Sequence, residues 1–94
     1  MTVESNPGVA IIGCGFIGQK RARALNGARL VVCSDQVLAK AQALAGLNDA
    51  EAVEDWRLAV TRPEVSIVMA ATFNQSLVEI SRMAAQYGKH ILVE

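Results

Sequence analysis

Five short apolar runs alternate along the chain with four segments whose apolar residues recur every three to four positions. Val9-Ala10-Ile11-Ile12, bounded by Gly8 and Gly13, reads as a buried strand, because a strand covered on both faces needs no polar alternation. Over residues 16–26 the period becomes helical. Gly18, Ala22 and Leu25 share one face, Gln19, Lys20 and Arg23 point away, and Gly27 supplies a stop. Residues 30–33 form a second buried strand that runs into Ser34 and Asp35. The next helix carries Leu38, Ala41, Leu44 and Ala45 as its apolar stripe, with Gly46 just past its end. A short strand over residues 51–53 precedes a short helix capped by Asp55 and ending before Pro63, with Trp56, Ala59 and Val60 turned inward. Residues 65–71 are the most hydrophobic segment and read as a central strand. Residues 74–87 then predict an amphipathic helix with Leu77, Ile80, Ala84 and Tyr87 on one face, stopped by Gly88, and residues 90–93 a last strand.

Strands and helices alternating at this spacing predict βαβ units: an α/β fold with a doubly wound parallel sheet of about five strands between helices, in three αβα layers. The 94 residues allow one domain, 1–94, with residues 1–7 as a flexible polar arm. Aromatic residues are 4 % of the chain, so the core must be built from Ala, Val, Ile and Leu, which suits helices lying close on a sheet. Nine basic residues balance nine acidic ones, which argues against a nucleic-acid or anionic-membrane surface. No apolar run is long enough to span a bilayer, and the first eight residues lack the pattern of a secretory leader. Two cysteines cannot staple a secreted mini-domain, so reduced thiols and a cytoplasmic location are expected.

The parallel topology brings every strand's C-terminal end to one edge, and the candidate chemistry lies there. Gly13-Cys14-Gly15-Phe16-Ile17-Gly18 is a G-x-G-x-x-G that follows a strand and opens a helix, and Asp35 ends the next strand twenty residues past Gly15. That is the context a dinucleotide site requires. Gly13 permits the tight turn, Gly15 lets a pyrophosphate approach the backbone, and Gly18 lets the helix lie close on the sheet. Unpaired N–H groups and the dipole at the helix start favour an anion. A carboxylate at Asp35 can accept from both ribose hydroxyls and would repel a 2′-phosphate. Gln36 and Val37 follow it with no Arg or Lys to receive that phosphate, although Lys40 lies one turn on, so NAD is expected over NADP. The same carboxylate also suits capping of the second helix, and the two roles are compatible. Thr72-Phe73-Asn74 follows the central strand and faces the glycine loop across the switch point, either lining the cleft or capping the next helix.

Other residues read as structural. Trp56 belongs to the core, and Lys20, Arg21 and Arg23 form a solvated face. His90 has no partners at metal-ligand spacing, and Cys14 acts through its backbone; a disulfide to Cys33 is sterically conceivable but not expected. No catalytic residue and no metal site is assigned.

The ordered set V-A-I-I-G-C-G-F-I-G, the acid Asp35, S-I-V-M-A-A-T-F-N and the closing G-K-H-I-L-V-E resembles the N-terminal Rossmann domain of the Gfo/Idh/MocA oxidoreductases over residues 8–94. The resemblance implies cofactor contacts from Gly13, Gly15, Phe16, Ile17, Gly18, Asp35, Ala71, Thr72, Asn74 and Glu94, with Gln36 beside them. It implies hydride transfer between a nicotinamide and a secondary alcohol of a sugar or polyol. In the family the closing motif leads into Glu-Lys-Pro, whose lysine takes part in catalysis. The sequence stops at Glu94, short of that lysine and of the family's C-terminal substrate domain. The family usually has Pro where this chain has Phe73, and often His where it has Leu77.

The 94 residues alone are therefore expected to bind a dinucleotide without turning over substrate, and to self-associate through the surface a second domain would cover. Two alternatives remain at this point. One is a non-catalytic dinucleotide-binding module with a redox-sensing or scaffolding role. The other is an S-adenosylmethionine-dependent methyltransferase domain, whose loop usually runs G-x-G-x-G where this chain has Ile17.

Overall fold

The structure, a computed structural model, describes residues 6–72 and 76–93. In chain order it forms β1 (Gly8–Ile12), α1 (Phe16–Arg23), β2 (Arg29–Ser34), α2 (Leu38–Asn48), β3 (Glu51–Val53), α3 (Trp56–Val60), β4 (Val65–Ala70), α4 (Ser76–Gln86) and β5 (His90–Val93). The strands pair in parallel in the order β3-β2-β1-β4-β5. From β1 the chain winds outward to β3, then returns to lay β4 on the other side of β1. The crossovers on the two sides of β1 therefore diverge, which opens a crevice beyond the C-terminal ends of β1 and β4.

The sheet buries both faces. On one, Ala10, Ile12, Val32, Val68 and Ala70 pack with Ala59 and Val60 of α3 and Ile80 and Ala84 of α4. On the other, Val9, Ile11, Leu30 and Cys33 pack with Ala22 of α1 and Ala41, Leu44 and Ala45 of α2. Every residue of β1 is buried, which is why its sequence shows no alternation. The alanines on the helices let backbones approach the sheet closely. Gly8 serves the same end, since a Cβ there would lie 2.0 Å from the carbonyl oxygen of Glu64.

Several predicted boundaries move, each for a local reason. α1 stops at Arg23, because Ala24 closes the helix with a tight bond to the Arg21 carbonyl (3.0 Å) and frees Leu25 to fold against the core. Gly46 lies inside α2 rather than past it. The stop is Asp49, in the left-handed conformation (φ 54°) that a short polar side chain tolerates. β4 ends at Ala70, although the Ala71 N–H still reaches the Ile12 carbonyl (2.8 Å). α4 is described from Ser76, and the predicted start at Asn74 lies outside the described residues. Its inward stripe is Ile80 and Ala84 with Leu77 and Met83, whereas Tyr87 is exposed. Tyr87 lies beyond the last helical residue, where Gly88 (φ 72°) turns the chain toward β5. Pro7, just before β1, accepts from the Arg29 N–H (3.0 Å), and residues 1–5 of the expected arm lie outside the described residues. Trp56 is only half-buried and packs at the border of the core. Among the described residues no helix is long and apolar enough to cross a membrane.

Candidate functional site

The turn after β1 is wedged between its two neighbouring strands. The Gly13 N–H donates to the Ser34 carbonyl at the end of β2 (2.8 Å). Gly13 has φ 98°, and a Cβ there would lie 2.3 Å from the Ala71 carbonyl oxygen. At Gly18 a Cβ would lie 1.9 Å from the Gly13 carbonyl oxygen, so α1 rests directly on the turn. Gly15 differs from both: a Cβ there would meet nothing within 4 Å. Packing within the chain thus excludes side chains at Gly13 and Gly18, while the space above Gly15 is open. Gly15 is the N-cap of α1, makes no side-chain cap bond, and is followed by a first turn without acidic residues. The leading N–H groups and the dipole therefore face that open space unopposed by a carboxylate of their own turn.

Asp35 is the first residue beyond β2, and its carboxylate reaches back across the sheet. One oxygen accepts the Cys14 N–H (2.8 Å) and the other the Val37 N–H (2.8 Å). The first bond ties the glycine turn to β2; the second orders the entry to α2. Each oxygen keeps acceptor capacity after one bond, so the carboxylate can still receive two hydroxyl donors.

Beside Asp35 lies an open cleft of about 450 Å³. It is lined by the apolar side chains of Ile12, Ile80 and Trp56 and by the polar ones of Asp35, Gln36, Glu54, Thr72 and Ser76. The structure thus brings Gly13, Asp35, Gln36 and Thr72 of the predicted set around one cleft, with Gly15 on the neighbouring turn. Ala71 fixes the turn through its backbone. Phe16 and Ile17 lie on the first turn of α1, 75 % and 37 % exposed. Asn74 and Glu94, and the variant position Phe73, lie outside the described residues. Glu54, Trp56 and Ser76 were not foreseen as site residues. The available signal was register: Val53 pairs with Ser34, so Glu54 and Asp35 are the first residues past adjacent strand ends.

Behind the turn, Cys14 and Cys33 are free thiols with no solvent exposure. Cys14 Sγ donates to the Ser34 carbonyl (3.3 Å) and Cys33 Sγ to the Ala41 carbonyl (3.2 Å). The neighbouring Cys33 thiol, together with burial, pushes Cys14 well above the usual thiol range. Cys14 is therefore a protonated packing group. Among the described residues no three of His, Cys, Asp and Glu cluster in a way that could hold a metal ion. Open space over a capless helix N-terminus, beside a carboxylate with two free acceptor positions, fits a ligand carrying both an anion and a vicinal diol.

Residues 8–94 match the sequence model of the GFO_IDH_MocA oxidoreductase family, described by its NAD-binding Rossmann fold. A levoglucosan dehydrogenase of Pseudarthrobacter phenanthrenivorans is 30 % identical over 101 residues, covering 95 % of this chain and 26 % of the relative. The crystal structure of a myo-inositol dehydrogenase from Corynebacterium glutamicum superposes with a TM-score of 0.86 at 27 % identity, over 94 % of this chain and 27 % of that one. A biliverdin reductase from Synechocystis, solved with biliverdin and NADP+, gives 0.83 at 29 % identity, over 93 % and 28 %. The chain spans about a quarter of the length of these relatives.

Proposed function

The chain belongs to the GFO_IDH_MocA oxidoreductase family, as an NAD-binding Rossmann domain, and from that premise we propose that it holds the cofactor of an enzyme oxidising a secondary alcohol of a sugar or polyol. The observation that carries the proposal is the open space at Gly15 set beside the two-armed carboxylate of Asp35. In this reading the backbone N–H groups at the start of α1 hold the pyrophosphate. Asp35 receives the ribose hydroxyls while its bond to Cys14 keeps the turn at the right distance. Phe16 and Ile17, exposed on the first turn of α1, shield the pyrophosphate from water. When bound, the nicotinamide supplies hydride acceptance or donation. The described cleft is lined by carboxylates, hydroxyls, an amide and apolar groups, with no Lys or His. We therefore assign proton transfer and substrate recognition to other parts of the enzyme. The names of two relatives, levoglucosan and myo-inositol dehydrogenase, support a polyhydroxylated substrate.

The preference for NAD over NADP follows from Asp35, whose carboxylate would repel a 2′-phosphate on the ribose it receives, with Gln36 and Val37 after it rather than an Arg or Lys. The test is calorimetric titration of both cofactors into the chain and its Asp35→Asn variant. That variant removes the charge but keeps an oxygen acceptor. It should narrow the NAD preference at least about tenfold, the worth of a like-charge contact near 1.4 kcal/mol. An unchanged ratio would rule out Asp35 as the discriminating group. Edge strand β5 exposes Ile91, Leu92 and Val93, which supports self-association of the isolated chain; light scattering that finds only monomer at high concentration would exclude it.

A further inference from the structure

We propose that Glu54 reads the base of the dinucleotide, accepting the exocyclic 6-amino group of adenine and so selecting adenine over 6-oxo purines. The inference rests on the cofactor reading above and goes beyond it to a residue outside the glycine motif. The strand order supplies the direction. β1 ends in the phosphate-binding turn, β2 ends in Asp35, and β3 ends at Val53, with Val53 paired to Ser34. A dinucleotide's ribose stands between its pyrophosphate and its base. With the pyrophosphate over β1 and the ribose at the end of β2, the base continues toward the end of β3. The first residue past β3 is Glu54, and it lines the same cleft as Asp35.

The chemistry of the cleft suits a purine. Ile12, Ile80 and Trp56 give it an apolar lining. An ionised carboxylate is an acceptor only. At the six position adenine presents an N–H donor and guanine or hypoxanthine a carbonyl oxygen. Glu54 therefore meets adenine with a charge-assisted hydrogen bond and a 6-oxo purine with repulsion. Gln36 and Ser76, which also line the cleft, can each donate and accept, so they do not choose between these two bases.

The experiment is calorimetric titration of NAD+ and of its hypoxanthine analogue, deamino-NAD+, into the chain and its Glu54→Gln and Glu54→Ala variants. Glu54 is solvent-exposed, so both variants should fold with unchanged unfolding midpoints. The unmodified chain should bind NAD+ about five- to tenfold more tightly than the analogue, the effect of one charged hydrogen bond at an exposed residue. Glu54→Ala should bring the ratio close to one by weakening NAD+. Glu54→Gln should do so while strengthening the analogue, because its amide can donate to a 6-oxo group. A ratio near one in the unmodified chain, or a ratio that neither variant moves, overturns the proposal and leaves the cofactor reading standing. Variants that improve NADP+ binding without changing the base ratio also overturn it, and make Glu54 a phosphate-repelling group. Failure of NAD+ itself to bind the unmodified chain removes both.

Discussion

Gly15 and Gly18 lie three residues apart in one motif, yet alanine should affect them in opposite ways. At Gly18 a Cβ would sit 1.9 Å from the Gly13 carbonyl oxygen and 3.4 Å from Ile11 Cγ2. The backbone oxygen cannot rotate aside, so α1 must lift from the turn. Such overpacking costs about 1–3 kcal/mol. Removing a glycine from a helix returns close to 1 kcal/mol. A 1.9 Å approach to a backbone atom puts the cost at the upper end of that range, so the net loss is about 2 kcal/mol, and a domain of this size loses about 4–8 °C of midpoint per kcal/mol. At Gly15 a Cβ meets nothing within 4 Å, and the backbone (φ −80°, ψ −155°) is extended rather than left-handed. The reduced freedom of the unfolded chain offsets the weaker N-cap, so stability should hold within about 0.5 kcal/mol. The new methyl nevertheless stands where the pyrophosphate must approach, and NAD affinity should drop by about tenfold or more. Urea unfolding and calorimetric NAD titration of both variants give four numbers. Gly18→Ala as stable as the parent would refute the packing argument, and Gly15→Ala binding NAD normally would refute the open cradle as the phosphate seat.

Further predictions concern the groups around the site. Lys89 Nζ donates to the Arg62 and Val65 carbonyls (2.8 and 2.6 Å), so Lys89→Met, which keeps the stem, should cost about 1.5–3 kcal/mol in urea unfolding; an unchanged midpoint would make the bonds energetically irrelevant. Cys14 and Cys33 have no exposure, and the Cys14 thiol is held well above its usual range, so native chain at pH 8 should alkylate at least about a hundredfold more slowly than urea-unfolded chain. Equal rates, measured by mass spectrometry, would mean that the turn opens freely. Asp35→Ala removes both backbone anchors and should lower stability by about 1–3 kcal/mol, with Asp35→Asn losing less; chemical denaturation checks the order.

The order of elements was legible because hydrophobic period and turn residues agree along this chain. β3 and β5 begin and end where the pattern places them, at Glu51–Val53 and His90–Val93. Errors gathered at helix ends, where the decisive interactions are not periodic. Gly46 looked like a stop, but nothing forces the chain to turn there, whereas Asp49 adopts the left-handed conformation that ends α2. The glycine turn was legible because each glycine has a distinct steric duty. The bond from Cys14 N–H to Asp35 was not, because it depends on how far one strand end projects over its neighbour. Glu54 and Trp56 were missed for a related reason. Their place in the cleft follows from the register of β2 against β3, and a three-residue strand has too little pattern to set a register. Lys89, part of the motif through which the chain resembles its family, acts here as a clamp on the start of β4 rather than as a cofactor contact.

On the reading proposed above, this chain binds NAD by itself. Thermal unfolding with increasing NAD, against NADP and S-adenosylmethionine in parallel, tests it most directly. At about 100 times its dissociation constant a ligand adds roughly 2.7 kcal/mol. In a domain of this size that raises the midpoint by on the order of 10 °C. The midpoint should rise by that amount with NAD, by less with NADP at equal concentration, and not at all with S-adenosylmethionine. A midpoint indifferent to NAD would contradict that reading.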